Sequence, residues 1–210
     1  MRLDLAERMR CPNPHISTPL VVVARRVVDR ELVDGMVGCP VCHLEARVAV
    51  GVVTFPGGLE IASEAGPGSD VAPAGTDPTD MADDVARTGA LLGLAEPGGA
   101  VLLAGRYGAL AARLAQEFEV ATIVIRAGSA VPFTDQSFRA AAIEAAPPLM
   151  SDAIRAVAVR GRILAPASTK LPVDVKELAR DEREWVGERE AAATVVTLSR
   201  AGGPPHTGSR

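Results

Sequence analysis

The three cysteines are the residues in this 210-residue chain whose chemistry is easiest to state. Cys39 and Cys42 are separated by two residues, and Cys11 lies four residues before His15. A cysteine pair at that spacing can offer two thiolates to one metal ion, and a second short turn can complete a tetrahedral set. The spacing therefore predicts a zinc site whose ligands are Cys11, His15, Cys39 and Cys42.

Other interpretations of Cys39 and Cys42 stay open at this stage. Followed by His43, the pair matches the attachment pattern of c-type haem, although that attachment normally accompanies export and the sequence shows no export signal. The pair also matches a redox dithiol, which usually opens a helix, whereas residues 44–53 have the composition of a strand. The cysteines can equally be buried residues of a fold that keeps its shape without metal.

Composition narrows the classes of function. With 48% hydrophobic and 23% charged residues the chain is typical of a globular protein, and its net charge of -4 gives no overall attraction to nucleic acid. The N-terminal arginines are interspersed with acidic residues, so direct nucleic-acid binding is not expected. These arginines are Arg8, Arg10, Arg25, Arg26 and Arg30. Because no apolar run has transmembrane length and no secretory signal is recognised, we expect a cytoplasmic setting with reduced thiols and no membrane partner.

The order of residue types predicts four parts of the chain. Residues 1–57 are expected to form a zinc-ribbon-like module, and residues 58–79 an acidic linker rich in glycine and proline. Residues 80–201 are expected to form an α/β domain, because apolar strands alternate there with amphipathic helices. Residues 202–210 are expected to be a disordered tail.

The predicted elements of the two structured parts differ in kind. In the first, β-branched runs predict strands at residues 20–24 and 47–55, with a turn at residues 33–35 between them. In the second, continuous apolar strands predict a mostly parallel sheet covered on both faces, which ends in an antiparallel hairpin. The predicted strands lie at residues 100–104, 120–125, 140–143 and 162–165. One helix is predicted to start at residues 79–80, and two others to span residues 107–118 and 148–159. The predicted hairpin strands are residues 185–190 and 193–199.

Five runs in the N-terminal part carry a family resemblance: Arg-Cys-Pro at residues 10–12, Pro-Leu at 19–20, Asp-Gly at 34–35, Cys-Pro-Val-Cys at 39–42 and Val-Ala-Val-Gly-Val at 48–52. In this order they resemble the small zinc-ribbon proteins that partner and activate tRNA, rRNA and protein methyltransferases. The resemblance implies bound zinc and a protein partner, either a methyltransferase or a component of translation. The chain departs from the family where His15 stands in place of the expected second cysteine, and imidazole is a competent zinc ligand.

The second half is similar to class I S-adenosylmethionine-dependent methyltransferases over roughly residues 81–200. The similarity lies in the runs 97–102, 131–138, 153–157 and 160–164. It implies a trimmed Rossmann-like sheet and an S-adenosylmethionine site that includes Gly105, Gly108 and Asp135. The sequence as a whole then predicts an α/β fold, in which a small β-rich zinc ribbon precedes a mostly parallel sheet with a C-terminal antiparallel hairpin.

Departures from the methyltransferase pattern shape the functional hypothesis. The acidic residue expected near Leu103 is absent, and the second strand ends at Arg126 without the carboxylate that would bind the ribose. Gly105 and Gly108 can serve a tight turn without any ligand, and Asp135 can be a turn residue. We therefore expect a non-catalytic binding or scaffold protein that has a protein partner, with an active methyltransferase of unknown substrate as the alternative.

Overall fold

The computed structural model describes residues 1–63 and 78–191 of the chain. Strands outnumber helices in these ranges, and every named strand belongs to one sheet. In chain order the elements are α1 (Leu3–Ala6), β1 (Val21–Val28), β2 (Glu31–Gly38), β3 (Glu45–Ala49), β4 (Val52–Thr54), β5 (Glu60–Ser63), α2 (Pro78–Leu92), β6 (Ala100–Ala104), a 3₁₀ turn (Gly105–Leu110), α3 (Ala111–Phe118), β7 (Ala121–Ala127), β8 (Phe138–Ile143), α4 (Pro147–Ala156), β9 (Val157–Pro166), β10 (Val175–Arg180) and β11 (Glu184–Arg189).

The sheet has eleven strands in the order β1-β2-β3-β4-β5-β7-β6-β8-β9-β11-β10. Strands β1 to β5 form an antiparallel meander, and β5 pairs antiparallel with β7. Strands β7, β6, β8 and β9 run parallel to one another. Strands β11 and β10 complete the other end with antiparallel pairing.

Hydrophobic cores cover both faces of the parallel strands, because successive side chains along a strand point in opposite directions. Leu102 and Ile123 belong to a core that includes side chains of α1 and α4 and continues under the N-terminal strands. Leu103 and Val124 belong to a second core, with side chains of α2 and α3. The alternation of apolar residues along β6 and β7 thus fixes which face each helix covers.

The predicted Rossmann-like fold, with a separate ribbon and a mostly parallel sheet, is wrong. The N-terminal strands and the parallel strands form one mixed sheet, in which four of the eleven strands run parallel. The junction is β5, where Ile61 lies opposite Ile125 and both side chains are buried. Residues 60–63 are therefore a sheet strand at the start of the expected linker, whose residues 64–77 lie outside the described part of the chain.

The hairpin turns of the N-terminal meander lie where the sequence pattern did not indicate them. Asp29 and Arg30 have φ of 48° and 64°, and Val50 and Gly51 have φ of 50° and 75°, so both pairs adopt the left-handed conformations of tight two-residue turns. The predicted turn at residues 33–35 is wrong, because these residues belong to β2. Glycine is required there for close approach: a Cβ on Gly35 would lie 2.4 Å from the carbonyl oxygen of Val23 on β1.

Sequence periodicity located the elements of the second half more closely. Strand β6 has the predicted bounds, and β7, β8 and α3 overlap their predicted ranges. The helix predicted at residues 148–159 ends at Ala156 instead, and the chain continues directly into β9. Strand β11 pairs with β9 and β10, whereas the predicted second hairpin strand at residues 193–199 and the tail lie outside the described residues. Among the described helices, none combines the length and the apolar character needed to cross a membrane.

Candidate metal centre

Two short turns supply the predicted ligands. In the first, the amide of Cys11 donates to the carbonyl of Thr18 at 2.9 Å, and the amide of His15 donates to the carbonyl of Asn13 at 2.9 Å. These backbone bonds fold the chain back between the two ligands. The first turn therefore presents Cys11 and His15 to the same side.

The second turn connects β2 to β3. The amide of Cys39 donates to the carbonyl of Leu44 at 2.8 Å, and the amide of His43 donates to the carbonyl of Cys39 at 3.0 Å. His43 closes the turn with φ of 56°. No helix begins at Cys39, so the helix terminus that normally activates a redox dithiol is missing from this described turn.

The two turns bring all four predicted ligands together. The candidate ligand atoms of Cys11, His15, Cys39 and Cys42 all lie within 4.8 Å of one another. The Sγ atoms of Cys11 and Cys42 are 3.5 Å apart, and the Sγ of Cys39 is 3.5 Å from Nε2 of His15. Zinc–sulfur bonds of about 2.3 Å place tetrahedral ligands about 3.8 Å apart, so the cluster has the dimensions of a metal site. The predicted clustering is confirmed, and the group can hold a metal ion such as zinc.

The orientation of His15 suits metal binding through Nε2. Its Nδ1 lies 2.7 Å from the carbonyl oxygen of Ile16, which can only accept a hydrogen bond. Nδ1 therefore carries the proton, and the lone pair of Nε2 is directed to the cluster. A second hydrogen bond of this kind is the usual way in which proteins fix the tautomer of a metal-binding histidine.

The cluster lies at the border of the core. Cys11 and Cys39 are 6% and 3% exposed and belong to the hydrophobic core beneath the N-terminal strands, whereas Cys42 is exposed. The side-chain amide of Asn13 donates to Sγ of Cys42 at 3.4 Å. A bound ion would therefore be enclosed on its inner side and reachable from solvent past Cys42.

Without a metal, the environments of the two thiols push their pKa values apart. Burial raises the pKa of Cys11 to about 12, and the hydrogen-bonded neighbouring thiols act against its ionisation. The pKa of Cys42 is lowered to about 6, mainly by a hydrogen bond from the backbone amide of Leu44. Hydrogen bonds with the other three candidate ligands lower it further. The carbonyl of Ile16 raises the pKa of His15. Metal binding would have to displace the Cys11 proton, and the Cys42 thiolate is the ligand already available at neutral pH.

The first ligand turn is anchored to α4 and to the loop before β8, both far away in the chain. Arg10, next to Cys11, forms an ion pair with Asp152 on α4 at 3.2 Å, and its amide donates to the carbonyl of Pro132. The same carboxylate accepts the amide of Val131 at 2.6 Å. The metal cluster and the loop before β8 are thus held by one carboxylate.

The glycines predicted to bind S-adenosylmethionine have packing roles in this structure. Gly105 has φ of 64°, and a Cβ there would lie 2.4 Å from the backbone oxygen of Glu144. A Cβ on Gly108 would lie 2.9 Å from Cγ1 of Val124. Both positions are explained by close approach within the protein, so their role in cofactor binding stays a prediction.

The surroundings of this turn give S-adenosylmethionine no support. Tyr107 is 2% exposed, and its hydroxyl donates to Oε1 of Glu184 at 2.9 Å. Arg106 donates to the same oxygen at 3.1 Å, and Arg87 donates to Oε2 at 3.1 Å. Asp135, the third predicted cofactor residue, is 65% exposed and pairs with Arg155 at 2.5 Å.

Sequence reasoning missed two residues in these regions, Asn13 and Glu184. Asn13, which donates to Cys42, stands between two prolines in the first ligand turn, and that turn composition was a usable signal. Glu184 is 6% exposed and collects three donors, but nothing in its local sequence distinguishes it from the neighbouring exposed charges. His43, the axial ligand in the haem interpretation, is not a member of the cluster.

Comparison of the sequence with models of protein families and with curated proteins found no match.

Proposed function

We propose that this chain is a non-catalytic binding protein whose N-terminal strands are fixed by a structural zinc ion. The observation that carries the proposal is the convergence of Cys11, His15, Cys39 and Cys42 within 4.8 Å from two separate turns. Four protein ligands fill a tetrahedral shell and leave no position for a substrate or an activated water. A closed shell of this kind stabilises structure and performs no chemistry of its own.

Zinc is the metal that this donor set favours. Three thiols and one imidazole are soft or borderline ligands, which suit zinc and disfavour magnesium and calcium. The three cysteines are free thiols, so they can all act as thiolates toward a metal. The proposal includes a reducing compartment such as the cytoplasm, because disulfide formation would remove the ligands.

The turn after β6 supports the non-catalytic part of the proposal. Gly105 is needed for contact with Glu144, and the buried Tyr107 and the carboxylate of Glu184 form a satisfied network beside it. No observation favours the alternative of an active methyltransferase. The proposed partner is another protein, and the resemblance of the N-terminal runs to methyltransferase activators points to a methyltransferase or a component of translation.

Metal analysis of the purified protein tests the zinc site. We expect about one zinc per chain in the wild type, as for a single tetrahedral site. Cys39→Ser should lose the metal, because a buried ligand is removed. His43→Ala is the matched control: it alters the adjacent exposed imidazole outside the cluster and should keep the metal. Metal-free wild type, or equal zinc content in the two variants, would overturn the zinc site.

Calorimetric titration of the zinc-loaded protein with S-adenosylmethionine tests the non-catalytic assignment. We expect no heat of binding, because the turn after β6 is occupied by the chain's own side chains. Binding at micromolar concentration would overturn the assignment and restore the methyltransferase alternative. His15→Ala serves as a second variant, and it should weaken zinc binding without changing the result of this titration.

A further inference from the structure

One edge of the sheet has an unusual combination of apolar and basic side chains. Strand β1 is the terminal strand, and its outer edge pairs with no other strand of the described residues. Its eight residues are VVVARRVV, and four of its valines have exposed side chains. These are Val21, Val23, Val27 and Val28, with exposed fractions of 55%, 54%, 43% and 48%.

An exposed, β-branched edge is a template for another strand, because its backbone donors and acceptors lack partners on that side. Proteins usually protect such edges with charges, and β1 carries Arg25 and Arg26 at its centre. Neither guanidinium forms an ion pair or hydrogen bond with another described residue, although Asp34 lies opposite Arg26 in the register. Among the described residues, the edge thus presents two guanidinium groups without an ion pair or hydrogen bond, between two apolar pairs.

This charge distribution selects against a second copy of the chain. An antiparallel pairing of β1 with itself in full overlap places Ala24 opposite Arg25 and Val23 opposite Arg26. Four guanidinium groups would then meet near the twofold axis, and like charges across a strand pair are destabilising. A nucleic acid would satisfy the arginines, but its phosphate backbone offers no apolar surface for the valines.

We propose that the outer edge of β1 binds an extended, acidic, valine-rich segment of a partner protein as a twelfth strand. Backbone hydrogen bonds supply the affinity in this mode of recognition, and alternate side chains supply the specificity. Acidic side chains of the segment pair with Arg25 and Arg26, and its apolar side chains cover the exposed valines. The inference rests on the proposed function, because it identifies the surface and the kind of partner for the binding protein.

The position of β1 connects this surface to the metal cluster. The strand begins shortly after the first ligand turn, and Val21 lies opposite Gly38, the residue before Cys39. A metal bound by both turns would therefore fix the start of β1 and its partner strand β2 relative to each other. The binding edge would be presented in one conformation, which lowers the entropic cost of adding a strand.

The test uses the full chain and a fluorescently labelled valine–glutamate peptide matched to the eight residues of β1, with glutamate at its third and fourth positions, opposite Arg26 and Arg25 in antiparallel pairing, and valine elsewhere. Fluorescence anisotropy should show saturable binding that weakens with salt. The double variant Arg25→Glu/Arg26→Glu should bind the peptide at least about tenfold more weakly, because two attractive pairs become repulsive. The control Arg113→Glu/Arg160→Glu changes two exposed arginines outside β1 and should leave the affinity unchanged.

Two modified peptides test strand addition itself. N-methylation of alternate amides removes the donors from one edge of the peptide only, so one of the two methylated isomers should lose binding and the other should keep it. Hydrogen exchange should show that alternate amides of β1 exchange quickly in the free protein and slowly in the complex. A valine–lysine peptide should not bind.

The following results would overturn the inference: no binding of the valine–glutamate peptide, equal loss with both methylated isomers, or full protection of the β1 amides in the free monomer. Concentration-dependent dimers that protect β1 would assign the edge to a second copy. Binding of an oligouridine that is lost in Arg25→Glu/Arg26→Glu, without peptide binding, would assign it to RNA.

Zinc content is measured on the same samples. A zinc-free protein that binds the peptide would overturn the zinc proposal alone, and a zinc-loaded protein that does not would overturn this inference alone.

Discussion

Replacement of Gly105 by alanine separates a structural role of the turn after β6 from a cofactor-binding role. The new Cβ would lie 2.4 Å from the backbone oxygen of Glu144 and 2.8 Å from its Cβ, and a backbone atom cannot move away as a side-chain end can. Overpacking of this kind costs about 1–3 kcal/mol. The left-handed φ of 64° adds about 1–2 kcal/mol for a residue with a side chain. We expect Gly105→Ala to lower the free energy of unfolding by about 2–5 kcal/mol.

Gly98→Ala is the matched control for the backbone term. Gly98 has φ of 87°, and nothing lies within 4 Å of the position of its Cβ, so only the backbone cost of about 1–2 kcal/mol applies. The difference between the two variants therefore measures the contact with Glu144. Gly108→Ala should cost less than Gly105→Ala, because Gly108 has no left-handed φ and its Cβ would meet only the end of the Val124 side chain, at 2.9 Å.

Urea unfolding of the zinc-loaded variants provides the measurement. The chain has a single tryptophan, Trp185, which is fully buried in the core, so its fluorescence reports the folded state. Equal destabilisation by Gly105→Ala and Gly98→Ala would refute the close-contact reasoning. Binding of S-adenosylmethionine to the wild type that is lost in Gly105→Ala would show that the glycine serves a ligand.

Three further predictions concern single side chains. In the metal-free protein, Cys42 should react with iodoacetamide as a thiolate, so the reaction rate should reach half its maximum near pH 6, below the ordinary pKa of a thiol. Bound zinc should suppress the reaction. A midpoint near pH 9 would contradict the assigned environment. Asp152→Ala should cost about 2–3 kcal/mol in urea unfolding, because the buried amide of Val131 loses its acceptor, and an unchanged midpoint would contradict the anchoring role. Tyr107→Phe removes a buried hydroxyl that donates to Glu184 and should cost about 1 kcal/mol in the same assay; a gain of S-adenosylmethionine binding would contradict the packing role.

The metal cluster was predictable because its ligands are encoded locally. The spacing of Cys39 and Cys42 and the short step from Cys11 to His15 each define a turn, and soft ligands in two turns have few alternative uses. The sequence also located β6, since a short run of apolar residues between turn signals is typical of a buried strand. These features depend on residues near one another in the chain.

The sheet topology was not predictable, because it depends on pairing between distant residues. The contact of Ile61 with Ile125 joins the N-terminal meander to the parallel strands, and nothing around Ile61 indicates a strand of the main sheet. Two turns also lacked their usual signal, since Arg30 and Val50 adopt left-handed conformations that glycine or asparagine normally supplies. The Glu184 network was missed for the same reason, because its donors come from two other elements, α2 and the 3₁₀ turn after β6.

The ion pair between Arg10 and Asp152 has a consequence for biosynthesis. The two residues are separated by 142 positions, so the first metal-binding turn emerges from the ribosome long before the carboxylate that secures it. At ordinary rates of translation this interval is roughly 7–30 seconds. A nascent chain must therefore keep Cys11 reduced, and both ligands of this turn free of wrong partners, while the rest is made. Early capture of the ion would protect that thiol during this period, and zinc starvation during expression should then lower the yield of folded protein more than later chelation does.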